Sequence, residues 1–573
     1  MTENEFQLRP GRLRSKGTAG PRTFVGEALA AAQRAGGLAT GARSRGGGTF
    51  GRGRVASLSA QRGLGVRSRS AVVKARVVRH GGRGAPLGVH LNYLQREGVT
   101  QDGARGEMFD AAGEADPKAF AERCADDRHH FRFIVSPDDG EQLADLKAYT
   151  RDLMAQAEAD LGTRLDWVAV DHWNTGHPHI HILVRGQGED GRDLVISRDY
   201  IAEGLRARAG QLVTLELGLR SDAELVRRLD QQIGADRWTA LDRSLARSVG
   251  EAEGLIDVRP PRLGRPDWTQ PAKVARLKKL EGLGLARETA PGRWTLASEA
   301  EPTLRALGQR EAVIARMHRA MTAQGLTVDP ARLALEDPPP RSLGQLMARG
   351  LDDELKGSGF AVLAGTDGLT HHLRVKDLAD TSDAPVGALV EVQTLTWGGG
   401  RDHVVLAVRS DLTLSQQISA EGATWLDRQL VGRNPAPLGQ GGFAQEVREA
   451  LAARAEVLVD RGLARRAGAR LIFARDLLDT LRDRELEATA QRLSAQTGLA
   501  HQPFGSEGEI AGVYRQRLNL ASGRFAMIDN GLGFALVPWR PDLERHLGQE
   551  VRGLAQPGGG IAWTFTLKRG LGL

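Results

Sequence analysis

A single cysteine, Cys124, among 573 residues excludes an internal disulfide and points to a reducing interior. No run of about 18 apolar residues occurs, so no membrane span is expected. The opening MTENEFQLRPGRLRSKG has no apolar stretch after its first charges, which predicts no secretory signal. Aromatic residues make up only 5%, and chemistry that needs a phenol has just four candidates: Tyr93, Tyr149, Tyr200 and Tyr514. Acids are scarce at the start. Residues 1–80 hold Glu3, Glu5 and Glu27 against sixteen Lys/Arg, a net +13, which leaves residues 81–573 at −6 within the total of +7. The basic character belongs to a tail rich in Arg, and a polyanion such as DNA or RNA is the partner it suits.

The rest is ordinary for a globular chain, with 41% hydrophobic and 26% charged residues, and the length implies several domains. The spacing predicts an α+β protein. Residues 1–65 read as a basic, Gly/Arg-rich flexible segment, with a short helix over TFVGEALAAAQRAGG. Residues 66–235 read as one domain. AVVKARVV, FRFIVS, LDWVAVDH and HPHIHILVR are strands, a helix capped by Asp138 or Asp139 follows the second, and an antiparallel sheet with helices on one face results. Residues 236–345 and 413–490 read as two helical, winged-helix-like domains. VARLKKLEGLGLARETAPGRWTL and RAEVLVDRGLARRAGARLIFARDLL share the order helix, GLAR, turn, strand, a pattern that grips duplex DNA in winged helices. A small barrel-like β domain is expected at 346–412, with His371 and His372 in structural roles. A β-rich domain with an Asn-Gly turn in SGRFAMIDNGLGFALVPWRP is expected at 491–573.

The densest chemical signal is DHWNTGHPHIHILVRG, residues 171–186, which carries four of the chain's 14 histidines. Alternation along a strand puts His179 and His181 on one face and Ile180 and Ile182 on the other. A four-residue loop over WNTG would pair position 172 with 177 and 170 with 179, gathering all four imidazoles on one side. Such a surface suits a divalent cation, and Mg²⁺, Mn²⁺ and Zn²⁺ all remain open.

His–hydrophobic–His on a strand resembles the HUH endonuclease superfamily of plasmid relaxases and rolling-circle initiators, which nick single-stranded DNA with a tyrosine and a divalent metal. The resemblance implies His172, His179 and His181 as the metal ligands. It leaves His177, Asp171 and Asp166 as residues behind the ligands or as a base. Upstream, HLNYLQREGV resembles the nucleophile motif of mobilization relaxases, which implies Tyr93 as the nucleophile and Arg79, Arg83 and Arg96 as DNA contacts. Initiators usually place the tyrosine after the histidines, so the order here favours a relaxase. RHHFRFIVSPDD also matches the stretch between the two motifs. FQLRPGRLRSKG and SGRFAMIDNGLGFALVPW resemble a subfamily whose long C-terminal region has no assigned activity. In one departure, WNTGHP lacks the acid that many relaxases carry between the first two ligands.

The resemblance implies nicking and rejoining at a plasmid transfer origin through a 5′-phosphotyrosine, and piloting of the strand in conjugation. Its implied partners are single-stranded transfer-origin DNA, accessory relaxosome proteins and a type IV secretion coupling protein. Its implied location is a bacterial cytoplasm, with passage to a recipient cell. Three alternatives stay open at this stage: a rolling-circle replication initiator, a non-catalytic DNA-binding protein with a structural metal, and a metal-dependent phosphoester hydrolase that needs no tyrosine.

Overall fold

The computed structural model describes residues 51–62, 65–80, 87–96, 98–173, 177–251, 255–260, 267–397, 401–468, 470–503, 508–556 and 561–565. The predicted helix over residues 23–37 lies outside them. The protein is α+β and divides into two compact units at residue 300. Among the described residues no helix is long and apolar enough to cross a membrane.

The first unit opens with helix α1 (Arg54–Arg62), inside the stretch expected to be flexible. That expectation fails because tertiary bonds hold the segment. Arg52 bridges to Ile196, the Ser57 hydroxyl donates to Asp199 O at 3.1 Å, and Gln211 donates to Ala60 O at 2.8 Å. Then follow β1 (Ala71–Arg79), α2 (Leu87–Leu94), α3 (Pro117–Arg123), β2 (His129–Pro137), α4 (Leu146–Leu161), β3 (Trp167–His172), β4 (His179–Arg185) and α5 (Leu205–Leu217). The strands form an antiparallel sheet in the order β1-β2-β4-β3. The cap of α4 is Asp145, which accepts from Lys147 N and Ala148 N, not Asp138 or Asp139. Those two acids are instead held by arginines: Asp138 by Arg220 and Arg228, Asp139 by Arg69.

Helices lie on both faces of this sheet, not one. Phe131, Phe133, Val135, Ile180, Ile182 and Val184 point to the side covered by α4 and α5. Val168, Val170 and Leu183 point the other way, against Leu91 and Leu94 of α2 and Phe120 of α3. Leu87, Leu91 and Leu94 recur at helical spacing and make the apolar stripe of α2; Tyr93, two residues after Leu91, is turned off it. Leu91 and Leu94 are fully buried, each contributing about 1.5–3 kcal/mol, so the tyrosine's helix has a fixed seat on the sheet.

After this domain the architecture is duplicated. The first copy begins with α6 (Asp222–Gly234), α7 (Ala240–Glu251), β5 (Ile256–Asp257), α8 (Gln270–Gly282), β6 (Ala286–Ala290) and β7 (Arg293–Leu296). It continues in the second unit with a long helix, α9 (Ala300–Ala323), and then β8 (Leu333–Ala334), β9 (Leu343–Asp353), β10 (Ser358–Gly365), β11 (Thr370–Val375), β12 (Leu389–Trp397) and β13 (Arg401–Ser410). The second copy has α10 (Leu414–Ser419), α11 (Trp425–Val431), α12 (Gly442–Asp460), β14 (Ala464–Ala467), β15 (Arg470–Phe473) and the long α13 (Leu477–Thr497). It ends with β16 (Ala500–His501), β17 (Glu509–Leu520), β18 (Gly523–Asp529), β19 (Gly533–Pro538), β20 (Glu550–Ala555) and β21 (Ile561–Thr564).

The two six-stranded sheets run β13-β12-β9-β10-β11-β8 and β21-β20-β17-β18-β19-β16, each closed at one edge by a single parallel pair. The helical parts share a buried clamp. In the first, Arg276 donates to both oxygens of Asp242 and to the carbonyls of Ile233, Ala235 and Arg237; in the second, Arg454 donates to Asp427 and to the carbonyls of Ile418, Ala420 and Gly422. Both acids also close a Thr-x-x-Asp box, with Thr239 and Thr424. The repeat was visible in sequence as GLAR and its hairpin. Its true extent was not, because the clamp acids lie far upstream of the arginines they bind.

The expected domain edges shift accordingly. The boundary at 235/236 parts α6 from α7 and α8, 345/346 cuts β9, and 490/491 cuts α13, whereas 412/413 falls between β13 and α10. Backbone hydrogen bonding runs through the two cut elements, so neither of those boundaries is a free hinge. Replacing Arg454 by Met should strand the Asp427 carboxylate, since both are fully buried. A loss of about 3–5 kcal/mol is expected, read as a lower urea midpoint; an unchanged midpoint would show that the clamp carries no stability.

Candidate active site

Register decides which side chains meet. His172 pairs directly with His179, and Val170 with His181. The connection is therefore two residues longer than expected, running over 173–178. Because the slip is two residues, the faces are preserved. His172, His179 and His181 remain on one side, while His177 falls off the strand and is exposed. The three rings form a closed triangle with centroids 5.4, 4.4 and 5.1 Å apart. One nitrogen from each lies within 4.8 Å of the others.

Hydrogen bonds fix two tautomers. The Nε2 of His172 lies 2.8 Å from Leu94 O, and the Nδ1 of His179 lies 3.1 Å from His177 O. A carbonyl only accepts, so both of these nitrogens carry the proton. The lone pairs are left on His172 Nδ1 and His179 Nε2. His172 Nδ1 is buried with no hydrogen-bond partner. Burial, reinforced by the charge of His181 and Arg96, pushes His172 down to about 2, so the ring stays neutral, as a ligand must be. A neutral His172 with its outer nitrogen backed and its inner one orphaned, beside two further imidazoles, fits a divalent cation.

Tyr93 is tied to this triangle through its own backbone neighbourhood. The residue after it, Leu94, takes the His172 bond, and Trp173 N donates to Val99 O at 2.6 Å. The Arg96 guanidinium lies 4.5 Å over the Tyr93 ring. Gly106 permits the close approach of the next segment, since a Cβ there would meet Val99 at 2.8 Å and Val170 at 3.0 Å. Leu94 O and Val99 O are backbone contacts, which no reading of side-chain types reveals.

The other three tyrosines are buried and their hydroxyls engaged. Tyr149 donates to Ala209 O at 3.0 Å, Tyr200 donates to Asp160 at 2.9 Å, and Tyr514 accepts from the Trp539 indole at 3.1 Å. Burial raises all three above the ordinary phenol range.

Other expectations also move. Asp171 points to the opposite face, pairs with Ile180 in register and accepts from the Trp173 indole at 2.7 Å. Asp166 precedes the far end of β3 and is gripped bidentately by Arg123 at 2.8 and 2.9 Å. Neither stands behind the ligands. His177 meets His179 through its backbone carbonyl. Arg79 alternates onto the face opposite the triad, beside the row of Val73 and Ala75, so it is no neighbour of the metal site. Arg83 lies outside the described residues. Cys124, packed beneath with Leu91 and Leu94, is pushed up to about 12 by burial and is no nucleophile. In the second unit His371 bonds Asp367 at 2.8 Å and His372 bonds Arg316 at 3.0 Å.

A second histidine pair lies further along the same sheet face. His80 and His130 share a 2.6 Å hydrogen bond, and His130 accepts from Arg132 at 2.9 Å. Burial, with the Arg132 charge next, pushes His130 down to about 3. Folded His130 is neutral where the unfolded ring, near 6.5, takes a proton. Stability is full above about pH 6.5 and falls as pH drops toward 3. Urea midpoints measured down through this window should decline in wild type and decline less in His130→Gln; equal slopes would refute the assignment.

Residues 273–401 and 397–572, together just over half of the chain, match the model of a family described as protein of unknown function (DUF3363), and the chain belongs to that family. The first matched segment ends as β13 begins, and the second carries β13 and the whole of the second six-stranded sheet. No curated protein and no solved structure matches the chain.

Proposed function

We propose that this protein is a metal-dependent DNA-nicking and strand-transfer enzyme of relaxase type, with Tyr93 as nucleophile and His172, His179 and His181 as the metal ligands. The observation that carries the reading is the bond from His172 Nε2 to Leu94 O, which ties the tyrosine's helix to the triangle of imidazoles. A divalent ion bound there supplies positive charge to a scissile phosphate and helps align it for in-line displacement.

The chain's own residues do the rest. The Tyr93 oxygen forms a bond to phosphorus, the bond to the 3′ oxygen breaks, and a 5′-phosphotyrosine and a 3′-hydroxyl result. The phenol loses one proton and the 3′ oxygen gains one, so no water is consumed and the step reverses to reseal the strand. A phenol at its ordinary pKa of about 10 is a weak nucleophile at neutral pH. Arg96, stacked on the ring, favours the phenolate. Attachment to the 5′ end suits a protein that travels with the strand, and this supports conjugative transfer with the DNA, accessory proteins and secretion coupling protein that such transfer uses. The order of tyrosine before histidines weighs against a replication initiator, and mapping the nick to a transfer or a replication origin separates the two.

The test is incubation of the protein with labelled single-stranded origin DNA and Mn²⁺. A denaturation-resistant protein–DNA adduct on the 5′ side of the break is expected. Product release without attachment would favour a hydrolase, and no cleavage at all would leave a DNA-binding protein with a structural metal.

A further inference from the structure

The chain carries the helix–GLAR–hairpin pattern twice, and the two hairpins differ in charge. Residues 284–297 hold Arg287, Glu288 and Arg293, whereas residues 462–475 hold Arg465, Arg466, Arg470 and Arg475 with no acid. The contrast is sharpened by the net −6 that residues 81–573 carry as a whole. In the first copy β5 lies along β7, so the sheet has three strands in the order β5-β7-β6, and Asp257 of β5 comes within 3.9 Å of Arg293. In the second copy β14 and β15 make a two-stranded ribbon.

Register sorts the side chains of that ribbon. Ala464 pairs with Phe473 and Arg466 with Leu471, while Arg465 pairs with Ile472 and Ala467 with Arg470. Ala464 and Phe473 pack with Leu458, Leu463 and Leu477, and Arg466 on the same face is bonded to Glu456 of α12. Alternation puts Arg465, Ala467, Arg470 and Ile472 on the other face. All four are exposed, Ile472 at 43%.

Neighbouring arginines find acids: Arg461 meets Glu421, Arg466 meets Glu456 and Arg482 meets Asp479. Arg465, Arg470 and Arg475 form no ion pair and no side-chain hydrogen bond among the described residues. Arg465 stands directly across from Ile472, and Arg470 lies two residues before it on the same strand. An unmatched cationic ridge of this kind attracts a polyanion, and duplex DNA of B form fits it. A two-stranded ribbon enters the major groove, about 12 Å wide, where an apolar side chain meets thymine methyls. Guanidiniums suit the phosphates along its rims. The outer face has no aromatic residue on which unpaired bases could stack, as single-strand sites use. The deep, narrow major groove of duplex RNA does not admit side chains.

We infer that the β14–β15 hairpin is a docking site for double-stranded DNA, with Arg465, Arg470 and Arg475 on backbone phosphates and Ile472 against the base edges of the groove. The choice of DNA as the polyanion rests on the nicking reading above. The site itself lies in the second unit, not on the triad's sheet. An enzyme that works on one strand gains from a separate hold on the duplex that supplies it.

The test uses the full chain and a short, blunt, fluorescein-labelled DNA duplex, whose affinity is followed by anisotropy over a series of KCl concentrations. The Arg465→Gln/Arg470→Gln double variant changes two exposed positions. It should bind at least about tenfold more weakly at low salt, and its slope of log affinity against log salt should be shallower by about 1.8, or about 0.9 per lost phosphate contact. Arg287→Gln, in the first hairpin, should match wild type. The double variant should bind an RNA duplex and an oligodeoxythymidine as wild type does. Equal losses on all three probes would make the hairpin a general polyanion surface and overturn the duplex assignment, and a wild type that binds no duplex would overturn it outright. If wild type and double variant bind the duplex alike while wild type still forms the DNA adduct, the hairpin falls and the nicking reading stands. If the double variant loses duplex affinity while wild type forms no adduct, the nicking reading falls and the hairpin stands.

Discussion

Tyr93→Phe is expected to abolish the covalent protein–DNA adduct of the proposed reaction and to leave single-stranded DNA affinity within about twofold of wild type. The change removes one oxygen and keeps the ring under Arg96. The helix remains seated by Leu91 and Leu94, so folding is spared. Loss of adduct is expected to be complete because no other phenol can substitute: Tyr149 and Tyr200 are buried with their hydroxyls donated to internal acceptors, and Tyr514 is fully buried against Trp539. Removing an essential nucleophile costs several orders of magnitude in rate. Denaturing gels of metal-supplemented reactions read the outcome directly. An adduct persisting in Tyr93→Phe would remove the tyrosine from the chemistry and with it the transfer mechanism.

His181→Ala is expected to lower Mn²⁺ affinity by about 100-fold or more. Losing a residue behind a ligand typically costs 10–100-fold, and a ligand itself costs at least as much. His181 closes the triangle of rings, 4.4 Å from His172 and 5.1 Å from His179. His177→Ala is the informative control. Its ring is exposed and its link to His179 is a backbone carbonyl, so metal affinity should stay near that of wild type. Titration calorimetry on the three proteins separates the cases, and equal affinities for wild type and His181→Ala would dismiss the triangle as a metal centre.

The histidines were legible because their signal is local. Alternation with Ile180 and Ile182 has period two, and no tertiary knowledge is needed to say that His179 and His181 share a face. The loop length was misjudged, yet the shared face survived, because a slip of two residues returns every side chain to its own side. His177 was the casualty of the same slip. Asp171 and Asp166 were credited for nearness in sequence, and nearness along a strand is a poor guide. One residue away means the opposite face, and half a dozen means the far end of the sheet. Arg79 lies on the face opposite the triad for the first of these reasons. The helix α1 failed differently: a Gly/Arg-rich composition reads as unstructured, but backbone bonds of Arg52 with Val195 and Ser197 and the Ser57 bond to Asp199 O hold the segment. A truncation meant to remove only the basic tail should therefore stop before Arg52.

The repeat shows the same division. Two GLAR hairpins announced it, whereas the matched sheets and paired Arg–Asp clamps emerged only from strand order and long-range hydrogen bonds. Residue chemistry and short-range periodicity set the inventory: four tyrosines, a histidine-rich strand, a basic start and no disulfide. The fold then chose among them. It buried three tyrosines, seated the helix of the fourth on the sheet through Leu91 and Leu94, brought a backbone carbonyl to His172, and set Arg76 across from Arg132. Those outcomes depend on which strand lies beside which and on which face a helix covers, and pairings between residues far apart in the chain leave no periodic trace to read in advance.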